Sequence, residues 1–471
     1  MIINSVLLDK KRYKLVDKNY NPSNNIFTVI VGSNGQGKSR LLKKIVNNVK
    51  NAQIGGKGIP NNYSRQVEFE LHGSKLNFYA PSSESKSYVS KDKINIEPIS
   101  KEVKVIAVTT TPFDKFPVEY KGNEIYRYHD DYKYHYIGLK ISKNQLNQSN
   151  YINLLARSTL RNTNVFDNYK LFELLKLDSY VNIQFKSKLP TKERDFSEYN
   201  YKTRKFDRLT LSPDFFVNYL TKYFYSIYQN LDEVKGCIGK AYQAYVNCLP
   251  YLDGLIDPQM EGIPKDELVY LLDIGLINVS DIIFKGVNGL DMKTSDLSSG
   301  QKCMILTLLN IAGSISDNSI VCIDEPEISL HPKWQKEFMK ILIEFFNGYK
   351  ECHFIIATHS PLIISELSKD DCYILNMDLG YAENSTEYKS MSSDYQLAEV
   401  FGVAGNNNEY LNRVVVSLLS KLSSKGNLEK EDIVRLQDLV EMSHGMDNTD
   451  KVKQLINILD LAWKKVEANA K

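Results

Sequence analysis

Continuous runs of apolar residues alternate along the chain with segments whose apolar residues recur at helical spacing. The first run, "FTVIV" (Phe27–Val31), leads into a glycine-rich loop and then a helical pattern. Three later runs, Val103–Thr110, Ser319–Asp324 and His353–His359, have the length and composition of strands buried on both faces of a parallel sheet. A helical pattern at Lys333–Phe346 separates the last two runs. Strands that alternate with helices predict an α/β layered core.

The same patterning predicts how the chain is divided into domains. Core strands occupy both ends of a long central insertion, which has helical patterns but no sustained heptad repeat. A tail of amphipathic helices follows, and we expect it either to cap the core or to dock a partner. The predicted segments are the N-terminal core 1–114, the mainly helical insertion 115–285, the C-terminal core 286–385 and the tail 386–471, with tail helices at Asn408–Leu422 and Lys451–Val466.

Composition excludes some classes of protein. With 42% hydrophobic and 25% charged residues, the chain resembles an ordinary globular protein. No apolar stretch is long enough to cross a bilayer, and the first residues lack a signal-peptide pattern, so we expect a cytoplasmic protein with no membrane partner. The six cysteines form no C-x-x-C pair, which predicts reduced, buried thiols.

The net charge of +2 conceals a basic, tyrosine-rich stretch in the insertion. Residues 115–210 contain 18 Lys or Arg, 11 Asp or Glu and 11 Tyr. Basic residues interleaved with aromatic ones suit phosphate contacts and base stacking, so nucleic acid is one candidate partner. A solvated insertion of mixed charge is the alternative, because the aromatic residues have no regular spacing. The basic cluster that would test the first interpretation is Lys202, Arg204, Lys205 and Arg208.

The loop "GSNGQGKS" (Gly32–Ser39) matches the P-loop pattern, and it lies between a predicted strand and a predicted helix, as that pattern requires. Its glycines let backbone N–H groups converge on phosphate oxygens at a helix N-terminus. Lys38 would reach the β- and γ-phosphates, and the Ser39 hydroxyl would bind Mg²⁺. The sequence therefore predicts ATP and Mg²⁺ as cofactors. The candidate nucleotide-binding residues are Gly32, Ser33, Asn34, Gly35, Gln36, Gly37, Lys38, Ser39 and Arg40.

Two later motifs lie at the carboxyl ends of predicted core strands. In "SIVCIDEPE", Asp324 comes at the carboxyl end of its strand, where we expect it to bind Mg²⁺ through water. Glu325 is suited to orient or deprotonate an attacking water. In "ATHSP", His359 follows the next strand and would contact the γ-phosphate and that water. Glu325 and His359 are therefore the candidate catalytic residues.

The order of P-loop, "LSSGQ" (Leu297–Gln301), "IDEPE", "SLHP" and "ATHSP" resembles ABC-type ATPases of the RecF, SMC and OLD-like branch. In that group the "LSSGQ" motif contacts ATP bound to a second subunit. The resemblance therefore implies a homodimer or higher homo-oligomer with ATP held between the subunits. It makes Ser298, Ser299, Gly300 and Gln301 candidate binding residues for the partner's nucleotide. An ordinary serine-capped helix start is the alternative.

"EPEISLHPKWQ" and "LLDIGLINVSDIIF" are similar to ATPases of anti-phage systems, including Septu, retron-associated and PARIS ATPases. The chain departs from the ABC pattern at the Q-loop, where Thr109, Thr110 or Thr111 stands in place of glutamine. Beyond His359 the sequence shows no convincing set of metal-binding carboxylates of the kind that a Toprim nuclease has. The resemblance thus implies an ATPase that senses or clamps nucleic acid and controls a separate nuclease or toxin. The alternatives are a DNA-repair ATPase of the RecF or SMC kind and a scaffold with negligible hydrolysis.

Overall fold

A computed structural model gives the arrangement of most of the chain. It describes residues 1–17, 20–33, 35–54, 64–71, 74–80, 88–91, 94–95, 103–111, 114–117, 134–138, 140–142, 145–146, 148–161, 169–188, 199–200, 205–206, 217–218, 220–222, 231–252, 254–365, 367, 371–388 and 391–470. Of the candidate residues, Asn34, Lys202, Arg204 and Arg208 lie outside these ranges.

The strands are β1 (Ile2–Leu8), β2 (Lys11–Lys14), β3 (Ile26–Val31), β4 (Ser64–Leu71), β5 (Ser74–Ala80), β6 (Tyr88–Lys91), β7 (Ile94–Asn95), β8 (Val105–Thr109), β9 (Tyr134–Ile137), β10 (Lys140–Ser142), β11 (Gln145–Leu146), β12 (Leu177–Ser187), β13 (Tyr199–Asn200), β14 (Lys205–Phe206), β15 (Leu255–Ile256), β16 (Ile277–Gly286), β17 (Asp291–Lys293), β18 (Ile320–Asp324), β19 (His353–Ala357), β20 (Cys372–Asn376) and β21 (Ala382–Asn384).

The α-helices are α1 (Lys38–Ile54), α2 (Gln148–Arg161), α3 (Tyr169–Leu175), α4 (Leu231–Cys248), α5 (Lys265–Asp273), α6 (Ser299–Ala312), α7 (Pro332–Phe345), α8 (Pro361–Ile364), α9 (Ser393–Tyr395), α10 (Glu409–Lys425), α11 (Lys430–Ser443) and α12 (Lys451–Ala470). A π-helix, Gln396–Val400, follows α9.

The chain divides into two compact units. The first contains Met1–Ser100 and Cys322–Lys471. Its main sheet has the order β21-β20-β3-β19-β18, with β3 parallel to both β19 and β20. Every residue of β3, β18 and β19 is buried, as expected for strands covered on both faces. An antiparallel sheet, β2-β1-β4-β5-β6-β7, belongs to the same unit.

The second unit, Lys101–Val321, contains the parallel pair β8–β9 and an antiparallel sheet in the order β15-β12-β16-β17. Helix α2 is tied to α5 by the Arg157–Asp273 ion pair, whose nitrogen and oxygen are 2.6 Å apart. Helix α6 is joined to α2 by a hydrogen bond from Ser158 Oγ to Asn310 Oδ1. The Ser158–Asn310 hydrogen bond therefore links α2 to α6, the helix that begins at the "LSSGQ" motif.

The predicted elements of the α/β core are present. The four apolar runs became β3, β8, β18 and β19, and the predicted helix between the last two became α7. Both predicted tail helices formed as α10 and α12, which pack with α11 around one cluster that includes Leu411, Leu439 and Ile456. Five cysteines are buried thiols and Cys237 is partly buried. Within the described residues, no helix is long and apolar enough to span a membrane.

A buried histidine makes the stability of the first unit depend on pH. His353 Nδ1 accepts a hydrogen bond from the Ile3 N–H, and its Nε2 lies 2.9 Å from Thr28 Oγ1. Burial lowers the pKa of His353 to about 3, from an ordinary value of 6.5. Below pH 6.5 the unfolded chain therefore binds more protons than the folded chain, and the free energy of unfolding should fall as pH decreases toward 3.

Denaturant titrations at about pH 7 and about pH 5 measure this loss. His353→Asn has no titrating ring and should lose less unfolding free energy over the same interval. An equal loss in both proteins would show that His353 does not control the pH dependence.

Candidate nucleotide-binding site

The P-loop connects β3 to α1 through backbone conformations that favour glycine. Gly32 and Gly37 have φ values of 150° and 101°. A Cβ atom at Gly32 would lie 2.1 Å from Gln36 Oε1, and one at Gly37 would lie 2.9 Å from Arg40 Nη2. The positive φ values make a residue with a Cβ atom strained at both positions, whatever the space around it. The turn leads directly into the N-terminus of the 17-residue helix α1. Free N–H groups and the helix dipole favour the binding of phosphate oxygens at such an end.

Lys38 is the first residue of α1, and its side chain turns back over the P-loop. Its Nζ donates to Gly32 O at 2.6 Å and to Ser33 O at 3.2 Å. It also lies 3.0 Å from His359 Nδ1. Burial lowers the pKa of Lys38, although the nearby carboxylates of Glu325, Glu327 and Asp324 oppose that shift. The Lys38 ammonium group is thus surrounded by three acceptors, which are the carbonyl oxygens of Gly32 and Ser33 and the ring nitrogen Nδ1 of His359.

His359 is neutral near pH 7, because burial and the charge of Lys38 lower its pKa to about 4. Since the Lys38 ammonium can only donate, His359 Nδ1 accepts and its proton resides on Nε2. Nε2 is directed toward Glu325, whose Oε1 is 3.7 Å away. Lys38, His359 and Glu325 therefore form a polar row, in which the first two residues are hydrogen-bonded and the last two are separated by 3.7 Å.

Ser39 and Asp324 place two oxygen atoms together below the P-loop. Ser39 Oγ donates to Asp324 Oδ1 at 3.1 Å, and Asp324 is 4% exposed at the end of β18. A hydroxyl and a carboxylate are ligands that Mg²⁺ uses together with phosphate oxygens and water. The chemistry of this pair therefore fits Mg²⁺, and the glycine turn beside it fits a nucleoside triphosphate.

Glu325 adopts a left-handed backbone conformation with φ of 51°. For a residue with a Cβ atom this conformation costs about 1–2 kcal/mol. The Glu325 N–H donates to Ala357 O at 2.9 Å, which joins the ends of β18 and β19. The strained turn aims the carboxylate at His359, and non-glycine strain of this kind is common at functional sites.

The Gln36 and Arg40 side chains contact acidic residues of neighbouring turns. Gln36 Nε2 donates to Asp378 Oδ1 at 2.6 Å, and Arg40 pairs with Asp9 at 2.8 Å. Lys11 binds the carbonyl oxygens of Met377 and Asp378. Gln36 and Arg40 therefore anchor the loop to the β20–β21 turn and to the β1–β2 turn.

The "LSSGQ" residues begin α6, in the second unit. Ser298 is the N-cap: its Oγ accepts from Gln301 N–H at 3.3 Å, and Gln301 Oε1 accepts from Ser298 N–H at 2.9 Å. Gln301 Nε2 donates to Leu175 O at 2.7 Å. Both amide atoms of Gln301 are thus used within the chain, whereas Ser298 and Ser299 are exposed and Gly300 is buried.

The threonines at the Q-loop position are partly paired with each other. Thr111 N–H donates to Thr109 Oγ1 at 3.1 Å, and both residues are buried at the end of β8.

Glu327 was missed in the sequence analysis, although it is the second glutamate of "IDEPE". Its Oε1 accepts a 2.6 Å hydrogen bond from the His359 backbone N–H. The signal was a third acidic residue within four positions after a buried strand. Solvated acids commonly follow such strands, so the spacing alone did not distinguish Glu327.

Residues 260–365 match the protein family described as "AAA domain, putative AbiEii toxin, Type IV TA system". The chain is 31% identical over 100 residues to the Retron Vc95 probable ATPase of Vibrio cholerae. It is 24% identical over 193 residues to the Retron Ec83 probable ATPase of Escherichia coli. It is 23% identical over 248 residues to the Septu protein PtuA of Bacillus mycoides.

These alignments cover 19%, 37% and 48% of this chain, and they span 19%, 34% and 33% of the three relatives. Among solved structures, an SMC head domain from Pyrococcus furiosus aligns with 81% of this chain and 95% of its own, at 13% identity and a TM-score of 0.32. The family match and these relatives confirm the predicted resemblance to retron-associated ATPases and to a protein of the Septu system.

Proposed function

We propose that this chain is an ATP-binding and ATP-hydrolysing subunit of a cytoplasmic anti-phage defence complex. The observation that carries the proposal is the polar row in which Lys38 lies 3.0 Å from His359 and Glu325 lies 3.7 Å from the same ring. A phosphate-binding cation, a neutral imidazole and a carboxylate within one site are the groups that positioning an attacking water requires.

Each group has a distinct task in this proposal. The P-loop N–H groups and Lys38 bind the β- and γ-phosphates, while Ser39 and Asp324 hold Mg²⁺. When bound, Mg²⁺ neutralises charge on the phosphates. Glu325 accepts a hydrogen bond or a proton from water, and His359 keeps that water and the γ-phosphate in line by donating through Nε2. Gln36 and Arg40 orient the loop through Asp378 and Asp9.

The "LSSGQ" motif completes the site of a second copy. The N-terminus of the 14-residue helix α6 is formed by Ser298, Ser299 and Gly300. Gln301 fixes the conformation of this helix end through the capping box. Because each P-loop already supplies a helix N-terminus to its own nucleotide, a second one serves the partner's γ-phosphate. The proposed assembly is a homodimer, or a larger homo-oligomer built from such dimers.

The defence role rests on relatives whose names assign them to retrons and to Septu. A separate nuclease or toxin is the proposed effector, and nucleic acid the proposed trigger or clamped molecule. Reversing the charges of Lys202, Arg204, Lys205 and Arg208 tests the nucleic-acid part, since it should weaken binding and flatten its salt dependence. A repair ATPase of the RecF or SMC kind remains the second candidate, and a neighbouring nuclease gene would favour defence over it.

Phosphate release from ATP tests the enzymatic core of the proposal. Wild-type protein should hydrolyse ATP with Mg²⁺ and lose that activity when EDTA removes the metal. Lys38→Ala should bind nucleotide more weakly. Purified wild-type protein that binds ATP and Mg²⁺ but releases no phosphate, alone or with nucleic acid, would leave a binding scaffold as the better description.

A further inference from the structure

The segment Thr358–Ser360, which carries His359, is fixed by hydrogen bonds at each of its residues. Thr358 N–H donates to Ile30 O at 3.2 Å, as a continuation of the β3–β19 pairing. Ser360 Oγ donates to Gln335 Oε1 at 2.6 Å. Between these anchors, the His359 N–H donates to Glu327 Oε1 at 2.6 Å. Glu327 is therefore the side chain that holds the backbone of His359 itself.

The Glu327 contact is stronger than an ordinary turn hydrogen bond. An N–H group that donates to a carboxylate forms a shorter and stronger bond than it does to a neutral acceptor. Glu327 is partly buried, and burial raises its pKa, while the His359 N–H counteracts that shift. Removal of the acceptor would leave the His359 N–H without its present partner in the turn.

The position of this backbone controls the geometry of the imidazole. The ring must keep Nδ1 within reach of Lys38 and Nε2 directed toward Glu325, which are 3.0 Å and 3.7 Å away. Displacement of a catalytic group by about 1 Å can lower a reaction rate by 10²-fold. A small backbone shift at His359 is therefore sufficient to disturb both contacts.

We propose that Glu327 is a positioning residue, which fixes His359 between Lys38 and Glu325 by accepting the His359 backbone N–H. The inference rests on the proposed ATPase function for its kinetic consequence, but the hydrogen bond itself can be measured without ATP. Glu327 acts through His359 and makes no contact with the nucleotide in this proposal.

The negative charge of Glu327 offers a second route to the same site, because it also raises the pKa of Lys38. Glu327→Gln and Glu327→Met separate the two routes. Both side chains match glutamate in length and lack its charge, but only glutamine retains an oxygen acceptor. If only Glu327→Met loses ATPase turnover, the hydrogen bond is responsible. If both variants lose turnover equally, the charge is responsible.

We expect Glu327→Met to lower kcat by about tenfold to 10²-fold with little change in KM for ATP. Glu327→Gln should retain most of the wild-type kcat. Glu337→Gln is the matched control, since Glu337 lies on an exposed face of α7 and pairs only with Lys340 among the described contacts. If Glu327→Met does not fold, Glu327→Ala replaces it and is compared with Glu327→Gln in the same way.

The direct readout is the backbone amide of His359 in protein labelled with ¹⁵N-histidine. The chain has seven histidines, so the spectrum is simple, and His359→Gln identifies the signal. The His359 amide proton should move upfield in Glu327→Met and stay near its wild-type position in Glu327→Gln. An unchanged signal in Glu327→Met, or equal kinetic loss in the two variants, overturns the proposal. Wild-type protein without ATPase activity would overturn the proposed function, while the amide signal still decides the role of Glu327.

Discussion

Glu325→Gln should lower ATP turnover by roughly 10²-fold or more, because a positioned base or water-orienting group is lost. The side chain keeps its length, and the left-handed backbone at Glu325 is unchanged, so the amide should occupy the place of the carboxylate. Nucleotide affinity should stay near the wild-type value, since Lys38 and the P-loop are intact. Phosphate release and equilibrium binding of a fluorescent ATP analogue measure the two quantities separately.

A glutamate-to-glutamine change elsewhere controls for nonspecific effects, and Glu337→Gln on α7 serves this purpose. The slow Glu325→Gln protein also retains ATP for longer, so light scattering with ATP should report an increase in mass as dimers accumulate. Turnover at the wild-type rate in Glu325→Gln would remove Glu325 from the mechanism.

Ser298→Arg should abolish most hydrolysis while each chain still binds ATP at its own P-loop. The arginine cannot replace the N-cap contact between Ser298 Oγ and Gln301 N–H, and its long side chain would occupy the space proposed for the partner's phosphate. Loss of a preorganised donor for phosphate charge typically lowers turnover by about 10²-fold to 10³-fold. Steady-state phosphate release and nucleotide binding, measured on the same sample, test both halves of this expectation.

Ser298→Asn provides the matched control, because asparagine is as good an N-cap as serine and carries no charge. It should retain much more activity than Ser298→Arg. Comparable loss of activity in both variants, with α6 still folded, would mean that the hydroxyl itself is required. Full activity in Ser298→Arg would contradict a role for this residue at any ATP site.

The sequence was sufficient to predict the core strands and the residues at their ends. Continuous apolar runs mark β3, β18 and β19 without long-range information, and the P-loop glycines define a local turn. Lys38, Asp324 and His359 follow directly from those runs. Parallel strands then bring their carboxyl ends together, which is why residues far apart in sequence could be assigned to one site.

Contacts that depend on turn geometry were not predictable. The Glu327–His359 bond joins residues 32 positions apart, and the Gln36–Asp378 bond joins residues 342 apart. The left-handed conformation of Glu325 carries no sequence signal, because the residue is not glycine. Gln301 was predicted to bind the partner's nucleotide, but its amide is used by the helix cap and by Leu175 O, so its proposed role is to shape the motif.

The most direct test of the shared ATP site is the ATPase rate of a mixture of Lys38→Ala and Ser298→Arg proteins. Each protein alone should be inactive, the first because its own P-loop is defective and the second because it presents a defective "LSSGQ" motif. In a mixed dimer, the intact P-loop of one chain faces the intact motif of the other. For independent sites and random exchange, the mixture should recover about a quarter of the wild-type rate. A mixture that hydrolyses ATP no faster than its separate components would contradict a site built from two copies of the chain.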